Sequence, residues 1–170
     1  MKEKEYMRLE SDSIGTMEVP EDAYYGVQAL RAKENFPITG TKLHPVFIKN
    51  LAKIKRAAAI TNRKAGRLKP EIANAIEASA NEVICGMFDK DFIVDGIQGG
   101  AGTSANMNMN EVIANRAIEM LCGKKGDYTI VHPNDHVNMA QSTNDVIPTA
   151  GKLTVLDLLK PLDKSLSLLT

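Results

Sequence analysis

Apolar residues recur every three or four positions through most of this chain, and strict alternation is confined to its beginning. Residues 7–10 and 16–19 alternate apolar and polar side chains around Ser11-Asp12-Ser13-Ile14-Gly15, which predicts a short β-hairpin ended by Pro20. Glu21 and Asp22 precede Ala23-Tyr24-Tyr25-Gly26, and a short helix is expected to run on towards Asn35 before a loop marked by Pro37 and Gly40. From Pro45 onwards Phe47, Leu51, Ile54, Ala58 and Thr61 keep helical spacing. Lys49, Lys53, Arg56, Arg63 and Lys64 make the solvated face of that helix. Gly66 stops it, and Pro70 begins the next, whose buried side reads Ile72, Ala75, Ile76, Ser79, Val83 and Met87.

Phe92, Ile93 and Val94 form a brief apolar run ahead of the stretch that organises the chain, residues 98–110. Gly99, Gly100 and Gly102 allow a tight turn and close approach of backbone to a ligand. Thr103 and Ser104 stand where a helix should begin and run to about Cys122. Two readings fit. One is a glycine-rich turn with a helix cap. The other is a site for a small anion, a carboxylate or phosphate, where free amides, a helix dipole and two hydroxyls meet. Asn106, Asn108 and Asn110 lie within the helix although Asn is a poor helix former. Asn108, Glu111 and Asn115 share one face, while Met107, Ala114, Ile118 and Leu121 share another. An amide-rich face suggests contact with polar backbone or ligand rather than water alone.

After a loop at 123–126, residues 128–131 read as extended, followed by His132-Pro133-Asn134-Asp135-His136. Gln141-Ser142-Thr143-Asn144-Asp145 then repeats the earlier logic, with hydroxyls and an amide ahead of a helix whose early turn holds Pro148. The last helix carries Val155, Leu156, Leu159, Leu162, Leu166 and Leu169 in steps of three or four. Such a stripe must bury itself against something, and few helices are left to receive it. The expectation is a fragment cut inside a longer helical bundle.

Composition narrows the chemistry. Lys and Arg number 21, as do Asp and Glu, so nothing points to nucleic acid or an anionic membrane. The start of the chain does not read as a signal peptide, no segment is long enough to span a membrane, and a cytoplasmic location is the default. Cys85 and Cys122 sit in apolar helical settings and read as core thiols rather than a disulfide. Gly100-Ala101-Gly102-Thr103-Ser104-Ala105 fits a dinucleotide fingerprint, for which 92–94 could be the strand. That run is short, residues intervene before the first fingerprint glycine, and His132 rather than an acid follows the next extended segment. There is no lysine for a phosphate-binding loop of the Walker type. His132, Asp135 and His136 could gather a metal only with a fourth ligand, which is not evident. Ser142 has no evident His–Asp relay, and His44 reads as a helix-start residue.

Residues 99–115 and 132–145, together with Ala23-Tyr24-Tyr25-Gly26-Val27-Gln28-Ala29-Leu30-Arg31, resemble signatures of the aspartase/fumarase superfamily. The likeness covers nearly the whole chain and is nearest to the aspartate ammonia-lyase branch. Fumarases typically carry Ser at the place of Ala101, Gln at that of Ser104 and Ser at that of Thr143. The resemblance implies a mainly α fold: a helical N-terminal domain with a small β-hairpin over residues 1–140, and at 141–170 the start of a long-helix bundle. It implies reversible anti elimination of ammonia from L-aspartate to fumarate, without an organic cofactor, in a homotetramer. Thr103, Ser142 and Thr143 would surround the β-carboxylate, with Asn144 and Thr103 holding the amino group. His132, Asn134 and Asp135 resemble a secondary anion site. The family's catalytic serine in a flexible Gly-Ser-Ser loop, the lysine after it and a Thr-His pair do not occur in this sequence. Family enzymes are more than twice as long and join segments of three subunits at each site, so the chain alone is expected to be inactive. Fumarase-type hydration and a non-catalytic assembly module are the alternatives.

Overall fold

In the computed structural model, residues 6–168 are described. The fold is mostly helical and is built around one helix. The N-terminal hairpin pairs β1 (Met7–Ser11) antiparallel with β2 (Thr16–Pro20), with Leu9 opposite Glu18. Five α-helices follow: α1 (Val27–Asn35), α2 (Pro45–Lys64), α3 (Pro70–Ile84), α4 (Thr103–Met120) and α5 (Thr143–Ser167). A single 310 turn (Asp89–Asp91) and a π-helical turn (Pro133–Val137) interrupt the connections before α4 and α5. α2 packs on α3 and α5, while α4 lies against α1, α3 and the π turn.

The helix boundaries follow from local chemistry. His44 caps α2 by accepting the N–H of Val46 on Nδ1, and Pro45 fills the first helical position. Gly66 ends the helix at φ 68°, a left-handed conformation that favours glycine. Pro70 opens α3. The buried side of α2 is Ile48, Leu51, Ala52, Lys55, Ala59 and Asn62, so the expected stripe is turned: Thr61 is exposed, and a lysine is in the core. Met87 falls beyond the end of α3 and is exposed.

On β1 the buried face is the polar one, facing Val19 and Met17 of β2. Arg8 and Glu10 point inward, whereas Met7 and Leu9 are exposed. The Arg8 guanidinium pairs with Glu10 and donates to the carbonyls of Pro20, Ala23 and Tyr25, so residues 20–25 wrap around it. Residues 128–130 are turns and not extended. Asp127 accepts the N–H and hydroxyl of Thr129, which closes an Asx-type turn. Cys85 and Cys122 are free and exposed rather than core thiols, because each falls where its helix ends. Phe92 and Val94 are buried, but in a loop and not a strand.

α4 is buried on every side from Ala105 to Asn115, so its polar side chains need partners inside the protein, and among the described residues all but Asn110, whose Oδ1 is unpaired, find them. Asn108 brackets the loop at 91–93, accepting the N–H of Ile93 and donating to the carbonyl of Asp91. Asn115 donates to the Tyr24 carbonyl and accepts from Gly126. Glu111 accepts the N–H groups of Gly26, Gln28 and Ala29, three of the unpaired donors at the start of α1. Glu10 takes the fourth, from Val27, and a hydroxyl proton from Tyr128. Burial pushes the Glu111 carboxyl up to about 7 in spite of these donors. Gly26 has no room for a Cβ, which would lie 2.3 Å from the Tyr128 hydroxyl and 2.6 Å from Glu10.

The first turns of α5 bury Val146, Ala150 and Thr154 against the fold. Beyond them Val155, Leu156, Leu159, Leu162 and Leu166 stay exposed, without a partner among the described residues. Leu169 of that stripe lies outside the described residues. Among them, no helix is long and apolar enough to cross a membrane.

Glu111→Ala strands three buried N–H groups. It is expected to cost roughly 3 kcal/mol or more in chemical denaturation. A loss below about 1 kcal/mol would show that α1 does not depend on this carboxylate.

Candidate anion-binding site

The two hydroxyl-bearing helix starts meet. Gly102, at φ 87°, turns the chain into α4, and a Cβ there would lie 2.9 Å from Cγ2 of Ile147 in the first turns of α5. One turn into α4, Asn106 donates from Nδ2 to the hydroxyl oxygen of Thr143, the first residue of α5, at 3.2 Å. Thr103, Ser142, Thr143 and Asn144 therefore stand at one junction. Its counterpart on the glycine-loop side is a mostly apolar cavity of about 450 Å3 lined by Leu43, Phe47, Ala105 and Ile147. The polar groups form the rim of the junction, not that cavity.

The donors at the junction are uncommitted. The side chain of Gln98, and not a hydroxyl, caps α4 by accepting the N–H of Ala105 at 2.6 Å. Gln98 in turn donates to the carbonyl of Asp95. Asp95 anchors the loop by accepting the N–H groups of Ile97, Thr39 and Gly40 and the Thr39 hydroxyl, which together hold its carboxyl well below the usual range. Among the described residues, nothing pairs with the hydroxyl of Thr103 or the backbone N–H of Thr103, Ser104 and Thr143. Ser142 and Thr143 use their hydroxyl oxygens as acceptors, from Asn144 N–H and from Asn106, which leaves both hydroxyl protons free to donate. A site with two helix N-termini and several free donors suits a carboxylate.

Behind the junction lies Lys55, which sequence reasoning missed. It is fully buried on α2 and makes hydrogen bonds of 2.7 Å to Oδ1 of Asn106 and 2.7 Å to Oδ1 of Asn138. Among the described residues no carboxylate lies within ion-pair distance of it, and burial pushes its ammonium down to about 7. Asn138 ends the π turn and donates to the carbonyl of Gln141, so the segment leading into Ser142 hangs on the same cluster. The signal was present. Leu51, Lys55 and Ala59 follow at four-residue steps, which places a lysine among apolar residues.

His132, Asn134 and Asp135 lie at the other end of the π turn, away from this junction. His132 caps the turn by accepting the N–H groups of Asn134 and Asp135 on Nδ1, and its own N–H donates to Nδ1 of His136. The Asp135 carboxylate lies 3.4 Å from Nδ1 of His132. His132 and Asn134 line a cavity of about 380 Å3 shared with Asp12, Gln28 and Arg31, which Asp135 does not line. Among the described residues, no group of three or more His, Cys, Asp or Glu could hold a metal ion.

A family model described as Lyase matches residues 15–170. An aspartate ammonia-lyase from a Bacillus species is 55% identical over 156 residues, which are 92% of this chain and 33% of that protein. A class II fumarate hydratase from Halobacterium salinarum is 55% identical over 152 residues, 89% of this chain and 32% of the relative. Among solved structures, the fumarate lyase:delta crystallin of Brucella melitensis superposes with a TM-score of 0.87 at 50% identity, over 89% of this chain and 36% of that one. The chain thus spans about a third of the length of these relatives.

Lys55 also predicts a pH dependence. The folded chain releases this proton near pH 7, whereas an unfolded lysine holds it to about its ordinary 10.5. Between those values the unfolded state binds more protons, so stability rises with pH. From pH 6 to pH 9 the denaturation midpoint of the wild type should rise relative to that of Lys55→Met. Parallel midpoints across that range would contradict it.

Proposed function

The chain belongs to the lyase family whose model it matches, and from that premise we propose that it supplies the substrate-carboxylate part of an aspartate ammonia-lyase. The reaction is the reversible anti elimination of ammonia from L-aspartate to give fumarate. The observation that carries this reading is the meeting of two helix starts whose amide and hydroxyl protons are uncommitted. A base takes a proton from the carbon next to the β-carboxylate, and the electron pair moves into that carboxylate before ammonia leaves. The resulting dianion needs donors already in place, since reorganising them during the step would add to the barrier. Thr103, Ser142 and Thr143 are the proposed donors to this carboxylate, and Asn144 with Thr103 the proposed partners of the amino group. His132 and Asn134, with Asp135 beside them, form a proposed secondary anion site.

The base is not proposed within these residues, and neither is turnover by the chain alone. Other segments of the whole protein, joined through assembly with further copies, are proposed to complete the site. Residues 141–170 are proposed to begin the bundle through which this happens. The exposed leucine face of α5 supports that assembly. A second reading, hydration of fumarate to malate, is favoured by the 55% identity to a class II fumarate hydratase.

The test offers L-aspartate and L-malate separately to the whole protein carrying these residues, and follows fumarate. Fumarate from aspartate and not malate is expected; fumarate from malate alone would select the hydratase. Thr103→Ala should lower kcat by roughly 10²–10³, the scale for losing one oxyanion donor. A loss below about tenfold in a folded variant would remove Thr103 from that role.

A further inference from the structure

Lys55, Asn106, Asn138 and Thr143 form a chain of hydrogen bonds whose direction can be read. Lys55 is buried and has protons to give but no acceptor to offer at its ammonium. Asn106 and Asn138 must therefore both turn their amide oxygens towards it, as they do at 2.7 Å. That leaves the Asn106 amide nitrogen to donate at 3.2 Å to Asn138 Oδ1 and at 3.2 Å to the hydroxyl oxygen of Thr143. With its oxygen accepting there, Thr143 must direct its own proton elsewhere, towards the open rim of the junction. The neutral amine of Lys55 still has two protons for the same two oxygens, so the direction survives loss of its charge.

We propose that Lys55, acting through Asn106, is a positioning residue that fixes the Thr143 hydroxyl as a donor to the substrate carboxylate. This rests on the reading of the junction as the carboxylate site. Lys55 touches no substrate; it sets the polarity of a group that does. Without it, Asn106 could turn its oxygen to Thr143, draw the hydroxyl proton back into the protein and present a lone pair to the anion.

The direct test reverses the middle link. Asn106→Asp keeps an oxygen for Lys55 and gives the buried ammonium a carboxylate, but offers Thr143 and Asn138 Oδ1 only acceptors. The whole protein carrying it should remain folded and lose kcat roughly 10²-fold, the scale of one lost donor. Lys55→Met should show the same signature. In a Thr143→Val background either change should cost no more than about twofold, because the hydroxyl through which it acts is already gone. Full activity in folded Asn106→Asp would overturn the proposal. So would losses that multiply undiminished with Thr143→Val, the mark of a general structural defect. If the wild type forms fumarate from neither aspartate nor malate, the reading beneath the proposal fails first and takes it down. An active wild type with additive variants overturns the proposal alone.

Discussion

A helix buried on all sides while carrying amides and a carboxylate is the constraint on which the rest of this structure depends. α4 holds Asn106, Asn108, Asn110, Glu111 and Asn115 in the interior. An unpaired polar group there costs about 1–3 kcal/mol, comparable to the stabilisation of several good contacts. Asn110 is the exception, its Oδ1 having no partner among the described residues; the neighbours that satisfy the others are largely backbone groups of connecting segments and the end of another helix. Each satisfied side chain therefore also pins a loop. Glu111 pins the start of α1, Asn108 the loop after the 310 turn, and Asn115 the segments at Tyr24 and Gly126. The apolar core alone would hold the helices together without fixing these connections.

The same arrangement explains how a site on loops can be stiff. Thr103 and Thr143 begin two helices that touch through Gly102 and Ile147, and both are backed by the Lys55 cluster. Ser142 follows a segment tied to Asn138, itself bound to Lys55. The free donors stand on the outer side of this scaffold and the committed ones on the inner side. That division is what a preorganised oxyanion site requires, since donors aimed in advance need no rearrangement when charge develops.

Much of this was legible in the residues. Pro45, Gly66 and Pro70 mark helix ends through backbone geometry alone, and the structure places the ends there. The two hydroxyl-rich helix entrances could be read because Gly102 and Ser142 act locally. The amide face of α4 was legible as a need for polar partners, but not which partners, because Tyr24, Gly26 and Asp91 are far away in sequence. Hydrophobic spacing misled wherever a polar residue is buried by a distant partner. Arg8 and Glu10 invert β1, and Lys55 replaces Thr61 on the inner face of α2. The extended reading of 128–131 failed because one carboxylate, Asp127, closes a turn that composition does not reveal.

The most direct measurement is a crystal structure of the whole protein with a bound dicarboxylate such as succinate. The account predicts one carboxylate at the junction of α4 and α5, with oxygens roughly 2.7–3.1 Å from the Thr103 and Thr143 donors. A dicarboxylate held in the cavity beside His132 and Asn134, with the helix junction empty, would contradict it.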